Sequence, residues 1–135
     1  MKTIDYLSMM VIGLILSACA NTISFPVSTI APAAVGTASF NKDKNNNYIV
    51  NVKVKYLTSA DRLTPSKSIY VVWIKSDKGD IKNIGQLISD KNNNATMTGI
   101  SSSKPVQIFI SAEDKGDVSW PSNQELFRIQ NIALK

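Results

Sequence analysis

Tyr48-Ile49-Val50-Asn51-Val52-Lys53-Val54-Lys55-Tyr56 switches, nearly residue by residue, between side chains that avoid water and side chains that seek it. Successive residues of a β-strand point to opposite faces, so Tyr48, Val50, Val52, Val54 and Tyr56 share one face while Asn51, Lys53 and Lys55 take the other. The pattern predicts a strand buried on one side only.

Working outward from it, Ile69-Tyr70-Val71-Val72-Trp73-Ile74 is apolar on both faces and heavy in strand formers, which predicts a central strand covered from two sides. Val106, Ile108 and Ile110 share the inner face of a further strand, and Leu126 to Leu134 offers the last. Weaker runs lie near Thr37 to Asn41, Ile81 to Ile88 and Ala95 to Ile100. Asn, Asp, Gly and Pro clusters separate the runs, and outside the amino-terminal segment no stretch carries a helical period. The expectation is an all-β fold, a seven-stranded immunoglobulin-like antiparallel sandwich over residues 36–135. Two of the connections repeat. Asp43-Lys44-Asn45-Asn46-Asn47 recurs as Asp90-Lys91-Asn92-Asn93-Asn94, and Asp77-Lys78-Gly79-Asp80 as Asp114-Lys115-Gly116-Asp117. Their flanks do not match, so shared turn chemistry explains them better than duplication does: Asn and Asp cap their own turns, and Gly adopts positive φ freely.

The 135 residues suit one domain plus tails, and 44% apolar against 19% charged residues predicts a packed core. The chain has one Cys and no His. An internal disulfide, a Cys/His zinc site and a His-based catalytic triad are thereby excluded.

The amino-terminal segment has its own logic. Leu7 to Ala20 is an apolar run of 14 residues broken by Ser8 and Ser17, preceded by Lys2 and, against the usual charge bias, Asp5. A membrane-spanning helix needs about 20 apolar residues and a secretory signal core about 7 to 15. Residues 1–18 therefore read as a signal peptide. The run ends in Leu16-Ser17-Ala18-Cys19, which resembles the lipobox of bacterial lipoproteins. That resemblance implies cleavage before Cys19, a diacylglycerol thioether on its thiol and acylation of the freed amine. Two or more acyl chains hold a protein stably where one gives only reversible binding, so the membrane is the first expected partner. By the same resemblance, Ala20 lacks the aspartate that favours inner-membrane retention, which makes the outer membrane of the cell envelope the expected location.

Residues 19–35 contain Pro26 and Pro32 and show no sustained period, so they are expected to form a lipid-anchored flexible linker. Extended, residues 20–35 reach on the order of 50 Å. Residues 19–135 keep fourteen basic and nine acidic groups, a net charge of +5. The lysines are scattered along the chain, and an exported protein does not ordinarily meet nucleic acid, so no nucleic-acid partner is expected.

Chemistry-bearing residues are few. Asp77, Asp80, Glu113, Asp114 and Asp117 offer oxygen ligands, but without the spacing of a calcium loop and with lysines interleaved; no metal and no cofactor is expected. No Gly-x-Ser-x-Gly elbow occurs, and only Glu113 adjoins a strongly apolar strand, so no catalytic residue is assigned. Trp73 reads as core. Trp120, beside Pro121 in a long loop, is the candidate partner contact together with Pro121.

Tyr70-Val71-Val72-Trp73-Ile74, the Ile84-Gly85-Gln86-Leu87 step, the strand ending in Ser111-Ala112-Glu113 and the loop with Pro121 together resemble the extracytoplasmic β-sandwich domain of transmembrane anti-sigma factors, over about residues 69–128. The resemblance implies the fold and a sensing or docking role. It does not extend to sigma-factor sequestration, because the residues before the domain read as an export signal. The expected function is a membrane-anchored, non-catalytic binding or accessory module for another envelope protein or polymer. A small periplasmic hydrolase or metal-dependent enzyme and a structural spacer are the alternatives.

Overall fold

The computed structural model describes residues 21–134; the signal peptide and Cys19 expected from the sequence lie outside the described residues. Among the described residues nine strands follow one another: β1 (Asn21–Ser24), β2 (Val35–Lys42), β3 (Tyr48–Lys55), β4 (Ile69–Ser76), β5 (Ile81–Gln86), β6 (Ile88–Ser89), β7 (Ala95–Ser101), β8 (Pro105–Glu113) and β9 (Glu125–Ile129). A single 3-10 turn, Ala60–Arg62, interrupts the β3–β4 connection. The strands make two antiparallel sheets, one ordered β1-β2-β3-β7-β6 and the other β5-β4-β8-β9.

The all-β expectation holds, with nine strands where seven were expected. One addition comes from splitting the Ile81–Ile88 run. Gly85 adopts φ +139°, the amide of Leu87 donates to the Tyr70 carbonyl, and Ile88 then pairs with Thr96 of β7, so the chain changes sheets at Leu87. The other addition corrects the flexible linker expected at 19–35. Asn21–Ser24 pairs with β2 from Asn21 opposite Phe40 to Ser24 opposite Thr37. Phe25 is then buried and stacks on Phe127 with ring centroids 4.9 Å apart. Ala31 and Ala34 are buried as well. Gly36 permits this closure, since a Cβ there would lie 3.0 Å from ring atoms of both Phe25 and Phe127. Aromatic burial thus secures a segment that has no periodic signal of its own.

One apolar cluster takes side chains from both sheets: Ala38 and Phe40 of β2, Val50, Val52 and Val54 of β3, Val72 and Ile74 of β4, and Ile108 and Ile110 of β8. Burying a side chain of this size contributes about 1.5–3 kcal/mol. The alternation of β3 is as expected through Val54 and fails at Tyr56, which is 65% exposed. Beyond Leu126 and Phe127 the last run stops being a strand at Ile129, although Ile132 and Leu134 still enter the core.

The two Asp-x-Asn-Asn-Asn turns are the same structure. Asp43 Oδ1 accepts from the amides of Asn45 (2.8 Å) and Asn47 (2.9 Å), and Asp90 Oδ1 from those of Asn92 (2.8 Å) and Asn94 (3.0 Å). Asn46 and Asn93 take the left-handed conformation, φ 63° and 62°. The hydrogen bond from the Asn47 amide holds the Asp43 carboxyl below the usual carboxylate range. The two Asp-Lys-Gly-Asp segments differ. Gly79 turns a hairpin at φ +91°, whereas the Gly116 carbonyl accepts from Asn83 Nδ2 at 2.8 Å and so ties a loop to β5.

Strand register gives the molecule two ends. At the turn end lie the 43–47, 77–80 and 102–104 connections and the start of β1 at Asn21. At the opposite end lie segments 25–34, 56–68, 90–94 and 114–124.

Candidate functional site

The end opposite Asn21 holds a cleft of about 490 Å³ between the 30–33 segment and the β3–β4 connection. Ala31, Pro32 and Leu63 form its apolar wall, and Tyr56, Arg62 and Gln124 supply its chemistry. Each of these three is placed by a specific backbone event. β3 ends at Lys55, and the Leu57 amide donates to the Asn93 carbonyl at 2.9 Å, which pulls the chain into the 90–94 turn. Tyr56 between them adopts φ +57° and swings from the core face into solvent. A bulky residue in the left-handed region costs on the order of 1–3 kcal/mol, and such residues cluster at binding sites.

Arg62 closes the 3-10 turn, its amide donating to the Ser59 carbonyl at 3.0 Å. It forms no ion pair among the described residues. Gln124 is buried, and its Nε2 donates to the Pro65 carbonyl at 2.8 Å, which orients its amide within the cleft and leaves Oε1 as the acceptor. Behind the cleft the Tyr70 hydroxyl donates to the Thr58 carbonyl at 2.8 Å. Burial, with the charge of Asp61 adding to it, pushes the Tyr70 phenol up to about 12, so it remains a donor across the physiological range. The arrangement offers one unpaired cation, one flat aromatic ring, one fixed acceptor and an apolar wall.

The same end carries the loop 114–124. It folds back over the outer face of β4 and β8, where Val71, Trp73 and Phe109 form a second buried cluster with Val118 packed against it. Glu113 anchors the loop. Its Oε2 accepts from the Ser111 hydroxyl at 2.5 Å and the Ser122 amide at 2.8 Å, and Ser111 Oγ in turn accepts from Trp73 Nε1 at 2.8 Å. Trp73 is fully buried as expected from the sequence, held here by a polar tie as well as by packing. The carboxyl of Glu113 therefore serves the loop's architecture.

Of the residues chosen from sequence, Trp120 is 71% exposed and Pro121 half-buried, both on this loop. They share an end with the cleft, but neither lines it. Cys19 lies outside the described residues. Asp77 and Asp80 sit at the turn end, apart from Glu113, Asp114 and Asp117, and no group of three or more His, Cys, Asp or Glu among the described residues is placed to hold a metal. Among the described residues no helix is long and apolar enough to cross a membrane. Sequence reasoning missed Tyr56, Arg62 and Gln124. The one available signal was the abrupt end of alternation after Tyr56, where Leu57-Thr58-Ser59-Ala60-Asp61-Arg62 begins. No protein-family profile matches the chain, and no curated protein matches its sequence.

Proposed function

We propose that this is a cell-envelope lipoprotein, anchored through Cys19, whose two sheets form an immunoglobulin-like sandwich similar to the extracytoplasmic domain of anti-sigma factors. In this reading it is a non-catalytic binding module, most consistent with the outer membrane. The observation that carries it is the cleft at the end opposite Asn21, where Tyr56 is held outward in a strained conformation. A lipid at Cys19, two residues before β1, puts the turn end at the membrane and leaves the cleft facing away from it, open to a neighbour. Confinement to one surface raises effective concentration, so a contact of modest affinity suffices. The cleft suits a partner that brings a carboxylate to Arg62 and a flat or apolar face to Tyr56.

A non-catalytic role is supported by the lack of histidine and by the engagement of Glu113, the one buried carboxylate among the described residues, with Ser111 and Ser122. The test is cross-linking in cells, comparing the native chain with Tyr56→Ala, Arg62→Glu and Trp120→Ala, alongside fatty-acid labelling of the native chain and Cys19→Ser. Label is expected on the native chain alone. The cross-linked species is expected to fall by about tenfold or more in the first two variants. Full retention of it in both would remove the cleft as the docking site.

A further inference from the structure

A second surface lies at the turn end. Lys42, Lys44, Lys75, Lys78, Lys82 and Lys104 are gathered there against Asp43, Asp77 and Asp80, a net charge of +3. Register brings them together: Lys42 is opposite Tyr48, which in turn pairs with Ser101, and the Asp77 amide donates to the Lys104 carbonyl at 2.9 Å. The opposite end is different. Its connections and strand ends carry Lys55, Arg62, Lys67, Lys91 and Lys115 against Asp61, Asp90, Glu113, Asp114, Asp117 and Glu125, a net charge of −1.

The lysines of the turn end form no ion pairs among the described residues. Lys42 lies 5.2 Å from the Tyr48 ring centroid, and the Asp43 carboxylate is committed to its own turn through Asn45 and Asn47. The positive charge is therefore not cancelled locally.

We infer that the turn end is a membrane-facing surface that lies on anionic lipid headgroups. The inference rests on anchoring at Cys19. Asn21 follows Cys19 by two positions, with Ala20 alone between them, and an extended chain covers at most about 7 Å in that distance, less than the Debye length of about 8–10 Å at physiological salt. The turn between β2 and β3 lies beside β1, with neighbouring strands about 4.8 Å apart. Anchoring thus brings the lysines into the range where anionic headgroups attract them and tilts the cleft end outward. The linker expected from the sequence, reaching about 50 Å, would have left orientation free.

The test uses residues 19–135 carrying Cys19→Ser, so that no acyl chain contributes, sedimented with vesicles of phosphatidylcholine alone or with added phosphatidylglycerol. Residues 21–134 contain both sheets and their shared core, so this chain holds the whole described fold. Binding selective for phosphatidylglycerol and weakened by salt is expected. Lys44→Glu, Lys78→Glu and Lys104→Glu together are expected to lower it on the order of a hundredfold, from about fivefold for each lysine near a charged surface. Lys55→Glu, Lys91→Glu and Lys115→Glu, with the same charge change at the other end, should leave most of it. Equal loss in the two triple variants, or no preference for phosphatidylglycerol, overturns the inference. Fatty-acid labelling separates it from its premise. Label at Cys19 without lipid selectivity keeps the anchor and removes the surface, whereas selectivity without label keeps the surface and removes the anchor.

Discussion

On its outer face the five-stranded sheet shows Asn51, Lys53 and Lys55 to solvent, with Thr96 and Thr98 of β7 beside them. The four-stranded sheet instead places Val71, Trp73 and Phe109 on its outer face and covers them with its own loop. Both sheets obey the same twofold side-chain period, and both give their inner faces to one core. The difference lies in what happens to the second face. A polar second face needs only water, while an apolar one needs a cover and a means to hold the cover down. That means is polar: Glu113 and Ser111 on β8, Ser122 on the loop, and Asn83 Nδ2 donating to the Gly116 and Val118 carbonyls.

The largest effect that distinguishes the two faces should come from Trp73→Ala. The indole is fully buried, stacks with Phe109 at 6.2 Å between centroids and donates to Ser111. Its truncation leaves a cavity and an unmatched hydroxyl, an expected loss of about 3–5 kcal/mol in denaturant unfolding. A loss below about 1 kcal/mol would mean that the loop does not depend on the cluster beneath it.

Glu113→Gln should cost less, about 1–3 kcal/mol, because the charge that strengthens two hydrogen bonds is lost while side-chain volume is kept. The effect should be local. Hydrogen exchange is expected to speed up at the Ser122 amide and through residues 114–124 while β3 amides keep their protection. Uniform acceleration across both sheets would show that the loop is not a separable cover.

These two sites also mark the boundary of what could be read from the amino-acid order. Ile69 to Ile74 is apolar on both faces, so a doubly covered strand was legible, and so were the paired Asp-x-Asn-Asn-Asn turns, because their chemistry lies within five residues. The identity of the cover was not legible. It depends on Val118 and Ser122 meeting residues from three other strands, which no local pattern encodes. Tyr56 was misplaced for a related reason: a period of two extends smoothly through it, and only the bond from Leu57 to Asn93 shows where the strand ends. Phe25 lacked any periodic neighbour, and its partner Phe127 lies at the far end of the chain, so residues 19–35 read as a linker. The cleft likewise joins Tyr56 and Arg62 to Gln124, residues far apart in the chain. Trp120 was placed in a loop and is exposed there, since a tryptophan beside proline outside any strand run carries its own local signal.

The smallest effect belongs to the solvated face and sets the baseline for the other two. Thr98 Oγ1 donates to Asn51 Oδ1 at 2.7 Å, across directly paired residues of β7 and β3. Thr98 is exposed, so water can replace either partner, and a cross-strand pair of this kind contributes roughly 0.2–1 kcal/mol. Thr98→Ala should therefore shift the unfolding free energy by no more than about 1 kcal/mol, several times less than Trp73→Ala, with no change in the denaturant slope. The outcome bears on more than one side chain. If the isolated protein gives the small value but the protein in cells loses a cross-linked partner on the same substitution, the open face of the five-stranded sheet is a contact surface and its polarity serves recognition. If both readouts stay near baseline, solvent is the only cover that face requires, and the asymmetry between the two sheets is complete.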